Sequence, residues 1–120
     1  MNRDRTKMTP RIIKTISCAE LHQASVIAPI TLIDVRTPEE FHEIRATLAR
    51  NAPLDTFDPA AVIKFRTTSP DEPIYFICAI GARSAWACEM MMAAGYENVI
   101  NVEGGTHAWY AAGLPTTQGP

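Results

Sequence analysis

Short apolar runs alternate with longer polar or amphipathic segments along the chain. Four of these runs are rich in β-branched or aromatic residues and have the length of buried strands. They cover residues 11–16, 31–35, 74–77 and 99–102, and a further short strand is predicted near 48–50. The run 11–16 is predicted to be an edge strand. Strands that alternate with helices are typical of a mostly parallel sheet with helices on both faces.

Helix-start signals follow several of the predicted strands. Ser17 with Glu20, and Thr37 with Glu40, have the spacing of a capping box, and Pro38 suits the first position of a helix. The predicted helices cover residues 17–24, 37–43, 58–65, 82–94 and 106–112, with Asp58 and Thr106 as further N-caps. The fold class predicted from this pattern is α/β.

The composition is that of an ordinary globular domain. The chain has 120 residues, of which 47% are hydrophobic and 20% charged, which suits one domain with its own core. We expect a lead-in over residues 1–10, the domain over 11–115 and a tail over 116–120. The net charge of −2 and the absence of a basic stripe argue against a nucleic-acid partner.

Targeting signals are absent from the pattern. No apolar run approaches the ~20 residues of a membrane span, and no apolar region of a signal peptide follows the N-terminus. We therefore expect a cytoplasmic protein with no membrane segment in this chain. The three cysteines are scattered and odd in number, so they predict neither a disulfide framework nor a metal site, and no cofactor is expected.

Cys78 occupies the most informative position in the sequence. It directly follows the strand Ile74–Ile77 and precedes a tight turn and a helix that begins at Ala82. Backbone N–H groups at a helix N-terminus and the helix dipole favour an anion, so they should lower the thiol pKa and hold a negatively charged ligand. Arg83 adds a positive charge at the far end of the turn. The candidate loop consists of Ala79, Ile80, Gly81, Ala82, Arg83 and Ser84.

The combination of N–H groups and Arg83 around Cys78 is what a nucleophilic thiolate needs. The competing interpretation is that Cys78 is a buried cysteine with only a packing role. Asp34 and Arg36 are candidates for supporting roles, because open α/β sheets place sites at the carboxyl ends of strands. For both we favour local pairing: Asp34 with nearby backbone and Arg36 with an acidic neighbour.

The remaining candidate residues are interpreted mainly as structural. Cys18 lacks an accompanying arginine or glycine turn, and Cys88 lies about 15 Å along the helix from the turn, too far to resolve an intermediate on Cys78. His107 follows a glycine turn and is a weaker candidate for substrate contact. Trp109 is interpreted as core or pocket wall.

Four segments, in the same order and spacing, resemble the single-domain rhodaneses, a sulfurtransferase family. Residues 33–41 resemble the family's first signature, 51–54 its N-I-P-L segment, 78–84 its C-x-x-G-x-R-S active loop, and 103–115 its closing G-G-x-x-x-W-x-x-x-G-x-P pattern. The resemblance extends over about residues 16–115.

This resemblance implies a five-stranded parallel sheet flanked by helices. It also implies that Cys78 accepts a sulfane sulfur from a donor such as thiosulfate or a persulfide and carries it as a persulfide. A thiol, cyanide or a protein acceptor then removes the sulfur. Loop N–H groups would hold the persulfide, and Arg83 would help to fix the loop.

Two departures from the family pattern affect the expectations. Residues 44–49 lack the His and both glycines of the usual G-H-I-P-G-A, which predicts a differently shaped loop and an added positive charge from Arg45. Ala79 and Ile80 stand where thiosulfate-specific members commonly place a cation, so a dianionic donor should be held more weakly.

Two other functions compete with sulfur transfer. A cysteine phosphatase would need one more residue between Cys78 and Arg83 to encircle a phosphate, and no general acid is evident. A catalytically silent binding module would usually lack the cysteine, although the altered segment 44–49 suits a partner surface. The end of the chain resembles rhodanese domains that continue into a membrane anchor, so tethering is expected only if the chain is an excised domain.

Overall fold

The computed structural model describes residues 12–120. The predicted lead-in and the first residue of the first predicted strand lie outside the described residues. The strands are β1 (Lys14–Ile16), β2 (Thr31–Asp34), β3 (Arg45–Ala46), β4 (Arg50–Asn51), β5 (Ile74–Ile77), β6 (Val99–Val102) and β7 (Thr116–Thr117). The helices are α1 (Cys18–Ile27), α2 (Pro38–Glu43), α3 (Pro59–Val62), α4 (Ala82–Ala93) and α5 (Gly105–Ala111), with 3-10 turns at Leu54–Thr56 and Ile63–Phe65.

Five strands form one parallel sheet in the order β1-β6-β5-β2-β4. This confirms the predicted five-stranded sheet, with β1 at an edge and β5 at the centre. Every residue of β2 and β5 is buried, which explains their nearly continuous apolar sequences. In the register of β2 with β5, Asp34 lies beside Ile77, so the two strands end at the same edge of the sheet.

Helices cover both faces of this sheet. On one face, Ile33 and Phe76 share a core with the α4 residues Ala87 and Met91. On the other face, Leu32, Tyr75 and Ile77 pack with Leu21 of α1 and Trp109 of α5. Alternate residues along β2 and β5 therefore serve opposite cores, as the period of a strand requires. Trp109 is a core residue, as the sequence predicted.

Both predicted capping boxes form, at Ser17 with Glu20 and at Thr37 with Glu40. Three helix predictions need correction. The helix predicted over residues 58–65 is α-helical only at Pro59–Val62 and continues as a 3-10 turn. α1 extends beyond the predicted end at residue 24, to Ile27, and α5 begins at Gly105 with Gly104 as its N-cap instead of Thr106. Gly104 adopts a left-handed conformation with φ 81°, which glycine tolerates without strain. The Thr106 hydroxyl is used elsewhere, as described below.

The last residues do not form the predicted tail. β7 pairs antiparallel with β3, so that Arg45 lies beside Thr117 and Ala46 beside Thr116. The Gly119 N–H donates a further hydrogen bond to the His42 carbonyl at 2.7 Å. A strand of two residues has too little periodicity to be predicted from sequence. For the same reason the strand predicted near 48–50 was misplaced, and the structure has β4 at Arg50–Asn51 instead. No helix in the described part of the chain is long and apolar enough to cross a membrane.

Candidate active site

Cys78 lies at the carboxyl end of the central strand β5, with no exposed surface. Its Sγ accepts hydrogen bonds from the Gly81 N–H at 3.1 Å and from the Ser84 hydroxyl at 3.2 Å. Gly81 has φ 115°, a conformation that favours glycine and lets the turn direct its N–H back to the sulfur. The predicted loop is therefore folded around the Cys78 sulfur.

The pKa of Cys78 reflects two opposing effects. Burial raises the pKa of the thiol, since a thiolate loses hydration in the interior. Hydrogen bonds from the Ser84 hydroxyl and from the N–H groups of Ser84, Gly81 and Ile80 lower it by more. The net pKa of Cys78 lies below its ordinary value, as expected for a nucleophilic thiol.

The start of α5 holds the other side of the loop. The Thr106 N–H and hydroxyl both donate to the Cys78 carbonyl, at 2.8 and 3.0 Å, and the His107 N–H donates to the Ala79 carbonyl at 3.1 Å. A Cβ on Gly105 would lie 2.5 Å from the Ala79 carbonyl oxygen, so only glycine allows this close approach. These contacts explain why Thr106 does not act as the N-cap of its helix.

Ser84 has more hydrogen-bond acceptors than its single proton can serve. Its hydroxyl lies within reach of Cys78 Sγ, of the Gly81 carbonyl and of Asn101 Oδ1 on β6. Asn101 also donates from Nδ2 to the Gly81 carbonyl at 3.1 Å. Asn101 was not among the predicted site residues, and its one sequence signal is a polar residue within the apolar run Val99–Val102.

Arg83 forms an ion pair with Glu40 of α2. Its Nη1 and Nη2 lie 2.8 and 3.0 Å from the two carboxylate oxygens, and the two side chains are 39% and 35% exposed. The hydrogen bond from Arg83 lowers the pKa of Glu40 to about 2, and the same pair raises the pKa of Arg83. The positive charge predicted at the far end of the loop is present, but Glu40 neutralises it. The sequence did not predict Glu40 as the partner of Arg83, because the capping box with Thr37 already explained the presence of Glu40.

Asp34 and Arg36 form a second, buried ion pair. Arg36 Nη2 lies 2.8 Å from Asp34 Oδ2, and the Arg36 backbone N–H also donates to Asp34 Oδ1 at 2.9 Å. Arg36 Nη2 donates in addition to the Ile44 carbonyl at 2.6 Å. The predicted local pairing is confirmed. This pair connects the end of β2 to the segment after α2 and leaves little of the guanidinium accessible.

A cleft of about 410 Å³ adjoins the loop. It is lined by Arg36, Glu40, Glu43, Ile44, Ala79, Thr106, His107 and Tyr110. Ala79 and Thr106 connect this cleft to Cys78, because one follows it in sequence and the other binds its carbonyl. His107 therefore lines the approach to the loop. Ile80 is 66% exposed at the tip of the turn, and Ala82 begins α4.

The other two cysteines lack this environment. Cys88 is wholly buried in the core under α4, where burial raises its pKa to about 12. Cys18 is also buried, with a raised pKa, and its thiol points to the carbonyls of Glu103 and Gly105. Both therefore fit the structural role that the sequence predicted.

Arg45 is not among the residues that line the cleft. Its guanidinium stacks over the Phe41 ring at 4.8 Å and donates to the carbonyls of Phe41 and Gly119. Residues 45–46 of the segment 44–49 form β3 and pair with β7, and the Arg45 side chain holds the C-terminal segment through the Gly119 carbonyl.

The family model of the rhodanese-like domain matches residues 17–112. The chain belongs to the rhodanese-like domain family. A sulfurtransferase of Allochromatium vinosum is 34% identical over 86 residues, which are 72% of this chain and 77% of that protein. An uncharacterized protein of Synechocystis is 33% identical over 104 residues, 87% of this chain, and the chain spans only 56% of its length.

A solved structure agrees with this assignment of the rhodanese-like domain. The crystal structure of a rhodanese-related protein from Thermoplasma volcanium has a TM-score of 0.67 and 31% identity. It covers 87% of this chain and 97% of its own. Membership of the family and the similarity to a sulfurtransferase support a sulfurtransferase-type family.

Proposed function

We propose that this domain is a sulfurtransferase in which Cys78 carries a sulfane sulfur as a persulfide. The observation that supports this most is the hydrogen bonding of Cys78 Sγ by Gly81 and Ser84 at the end of β5. These donors stabilise negative charge on Cys78 Sγ, which is the charge of the attacking and of the departing thiolate.

In the first half-reaction, the Cys78 thiolate attacks the outer sulfur of the donor. A bond forms between Cys78 Sγ and that sulfur, and the bond between the outer sulfur and the rest of the donor breaks. The electron pair leaves on sulfite when thiosulfate is the donor, or on a thiolate when the donor is a persulfide. Cys78 is left as a persulfide, and no external oxidant or reductant is needed.

In the second half-reaction, a thiolate or cyanide attacks the terminal sulfur of the Cys78 persulfide. The new bond joins the acceptor to that sulfur, and the sulfur–sulfur bond to Cys78 breaks. The electron pair returns to Cys78 Sγ, where the hydrogen bonds from Gly81 and Ser84 stabilise the departing thiolate. The products are a persulfide or thiocyanate and the regenerated enzyme.

Both half-reactions require access to a sulfur that has no exposed surface. The loop that begins at Cys78 includes the exposed Ile80 and the half-buried Ala79, and Ala79 lines the cleft. We infer that substrates reach Cys78 from this cleft and that the turn 79–81 moves outward to admit them. Gly81 supplies the backbone freedom for that movement.

The donor site carries little uncompensated positive charge. Arg83 is paired with Glu40 and Arg36 with Asp34, and Ala79 and Ile80 are uncharged. A dianion such as thiosulfate therefore gains less here than a neutral or singly charged persulfide. We infer that a persulfide is the better donor.

The formation of thiocyanate or of a product persulfide, measured with thiosulfate and with glutathione persulfide as donors, tests this proposal. Cys78→Ser should abolish transfer from both donors. Cys18→Ser is the matched control, because a hydroxyl can still donate to the carbonyls of Glu103 and Gly105. Transfer that survives in Cys78→Ser would overturn the proposal, and absence of transfer in the parent protein would favour a silent binding module.

A further inference from the structure

The cleft beside Cys78 has an uneven distribution of charge. Two of its charged residues, Arg36 and Glu40, are engaged by opposite charges at 2.8 Å. Glu43, in the last turn of α2, also lines the cleft and is exposed. No cation or hydrogen-bond donor within residues 12–120 pairs with its carboxylate. The uncompensated charge of the cleft is therefore negative.

Residues of α5 also line the cleft. Tyr110 and His107 line it, and the Tyr110 side chain is largely exposed. An aromatic ring at the border of a cleft attracts cations through its negative face, which adds to the attraction of a carboxylate. The charge of Glu43 and the ring of Tyr110 thus favour the same class of ligand.

We propose that this cleft is the acceptor site and that it prefers a thiol carrying an ammonium group over a thiol carrying a carboxylate. This inference rests on the proposed sulfur transfer through Cys78. The thiol sulfur would approach Cys78 past Ala79, and the ammonium would lie beside the Glu43 carboxylate. The volume of about 410 Å³ is at the lower end of small-molecule sites, which suits an aminothiol or a short peptide.

The test compares three small thiols as acceptors for sulfur preloaded on Cys78. They are 2-aminoethanethiol, 2-mercaptoethanol and 3-mercaptopropionate, which carry a positive charge, no charge and a negative charge. Each rate of discharge is expressed as the ratio of a Glu43 variant to the parent protein, so the intrinsic reactivity of each thiol cancels. The assay is run at one fixed pH for all thiols and variants.

Glu43→Gln should slow discharge by 2-aminoethanethiol about two- to fivefold, the size expected for one exposed ion pair, and leave 2-mercaptoethanol unchanged. Discharge by 3-mercaptopropionate should become faster. Glu43→Lys should enlarge both effects, with a still lower ratio for 2-aminoethanethiol and a still higher ratio for 3-mercaptopropionate. The matched control is Glu39→Gln, which removes an exposed glutamate of the same helix that does not line the cleft. Equal ratios for all three thiols would overturn the inference.

A second readout separates this inference from the proposed function. The S-methyl derivatives of 2-aminoethanethiol and 3-mercaptopropionate cannot accept sulfur, and their binding is followed by NMR shifts of the Glu43, His107 and Tyr110 resonances. Preferential binding of the amine, weakened in Glu43→Gln, supports the acceptor site even if Cys78 fails to load. Loading of Cys78 without any preference between the two derivatives would overturn the site and leave sulfur transfer intact.

Discussion

The ion pair between Arg83 and Glu40 controls how much positive charge the active loop offers to an anionic donor. A donor that recruits the Arg83 guanidinium must displace both carboxylate oxygens of Glu40. Glu40→Gln removes the charge and preserves the helix start, since a glutamine at this position also completes a capping box with Thr37. We predict that this variant binds thiosulfate more tightly.

The magnitude follows from the exposure of the pair and the charge of the ligand. Because both side chains are more than one-third exposed, solvent screens the pair and its net value is about 0.5–1 kcal/mol. Removing the repulsion between a carboxylate and a dianion about 8 Å apart in water adds about 1 kcal/mol. The total of about 1.5–2 kcal/mol corresponds to roughly a ten- to thirtyfold lower half-saturating concentration.

The assay is the rate of persulfide formation on Cys78 as a function of thiosulfate concentration. A donor with no net charge should show a much smaller change between the parent protein and Glu40→Gln. Glu39→Gln again serves as the control, because it removes a neighbouring charge that does not contact Arg83. High ionic strength should reduce the difference between the variants, since it screens exposed charges.

One result would refute this reasoning directly. The pH dependence of Cys78 alkylation first establishes that the loop of Glu40→Gln retains its environment. If that profile matches the parent protein while the half-saturating thiosulfate concentration is unchanged or higher, then Glu40 does not limit the charge available to the donor.

Two further predictions concern titration. Ser84→Ala removes the hydroxyl that donates to Cys78 Sγ and should raise the pKa of the thiol. The pH profile of alkylation by iodoacetamide should therefore shift to higher pH. An unchanged profile would show that the hydroxyl proton is donated to Asn101 instead. The pKa of Glu40 is lowered from 4.5 to about 2, so its contribution to stability is fully present above pH 4.5 and is lost as the pH falls through 2. Denaturant titrations should therefore show the parent protein losing more stability than Glu40→Gln between pH 5 and pH 2, by at most about 1 kcal/mol because the pair is exposed; equal losses would contradict this.

The core of the fold was predictable because its sequence signals are strong. β2, β5 and β6 are almost wholly buried, so their sequences are mainly apolar, with Asp34 and Asn101 among the few polar exceptions. The capping boxes at Ser17 and Thr37 are local motifs whose partners lie three residues apart. The loop from Cys78 to Ser84 is likewise contiguous, so the sequence alone could predict a thiol surrounded by N–H groups.

The remaining features depend on contacts between distant parts of the chain. Glu40 is 43 residues from Arg83 in sequence, and Asn101 is 17 residues from Ser84, so no periodicity relates them. The pairing of β3 with β7 joins segments of two residues each. Thr106 was predicted as a cap because capping is a local rule, whereas the Cys78 carbonyl competes for its hydroxyl across the fold.

The mass of the intact protein after incubation with a sulfur donor tests the central claim most directly. We predict a gain of one sulfur, ~32 Da, that cyanide removes. The gain should occur in the parent protein and in Cys18→Ser, be absent from Cys78→Ser, and form more readily with a persulfide than with thiosulfate. A gain that persists in Cys78→Ser, or no gain with either donor, would contradict the account of Cys78 as the sulfur carrier.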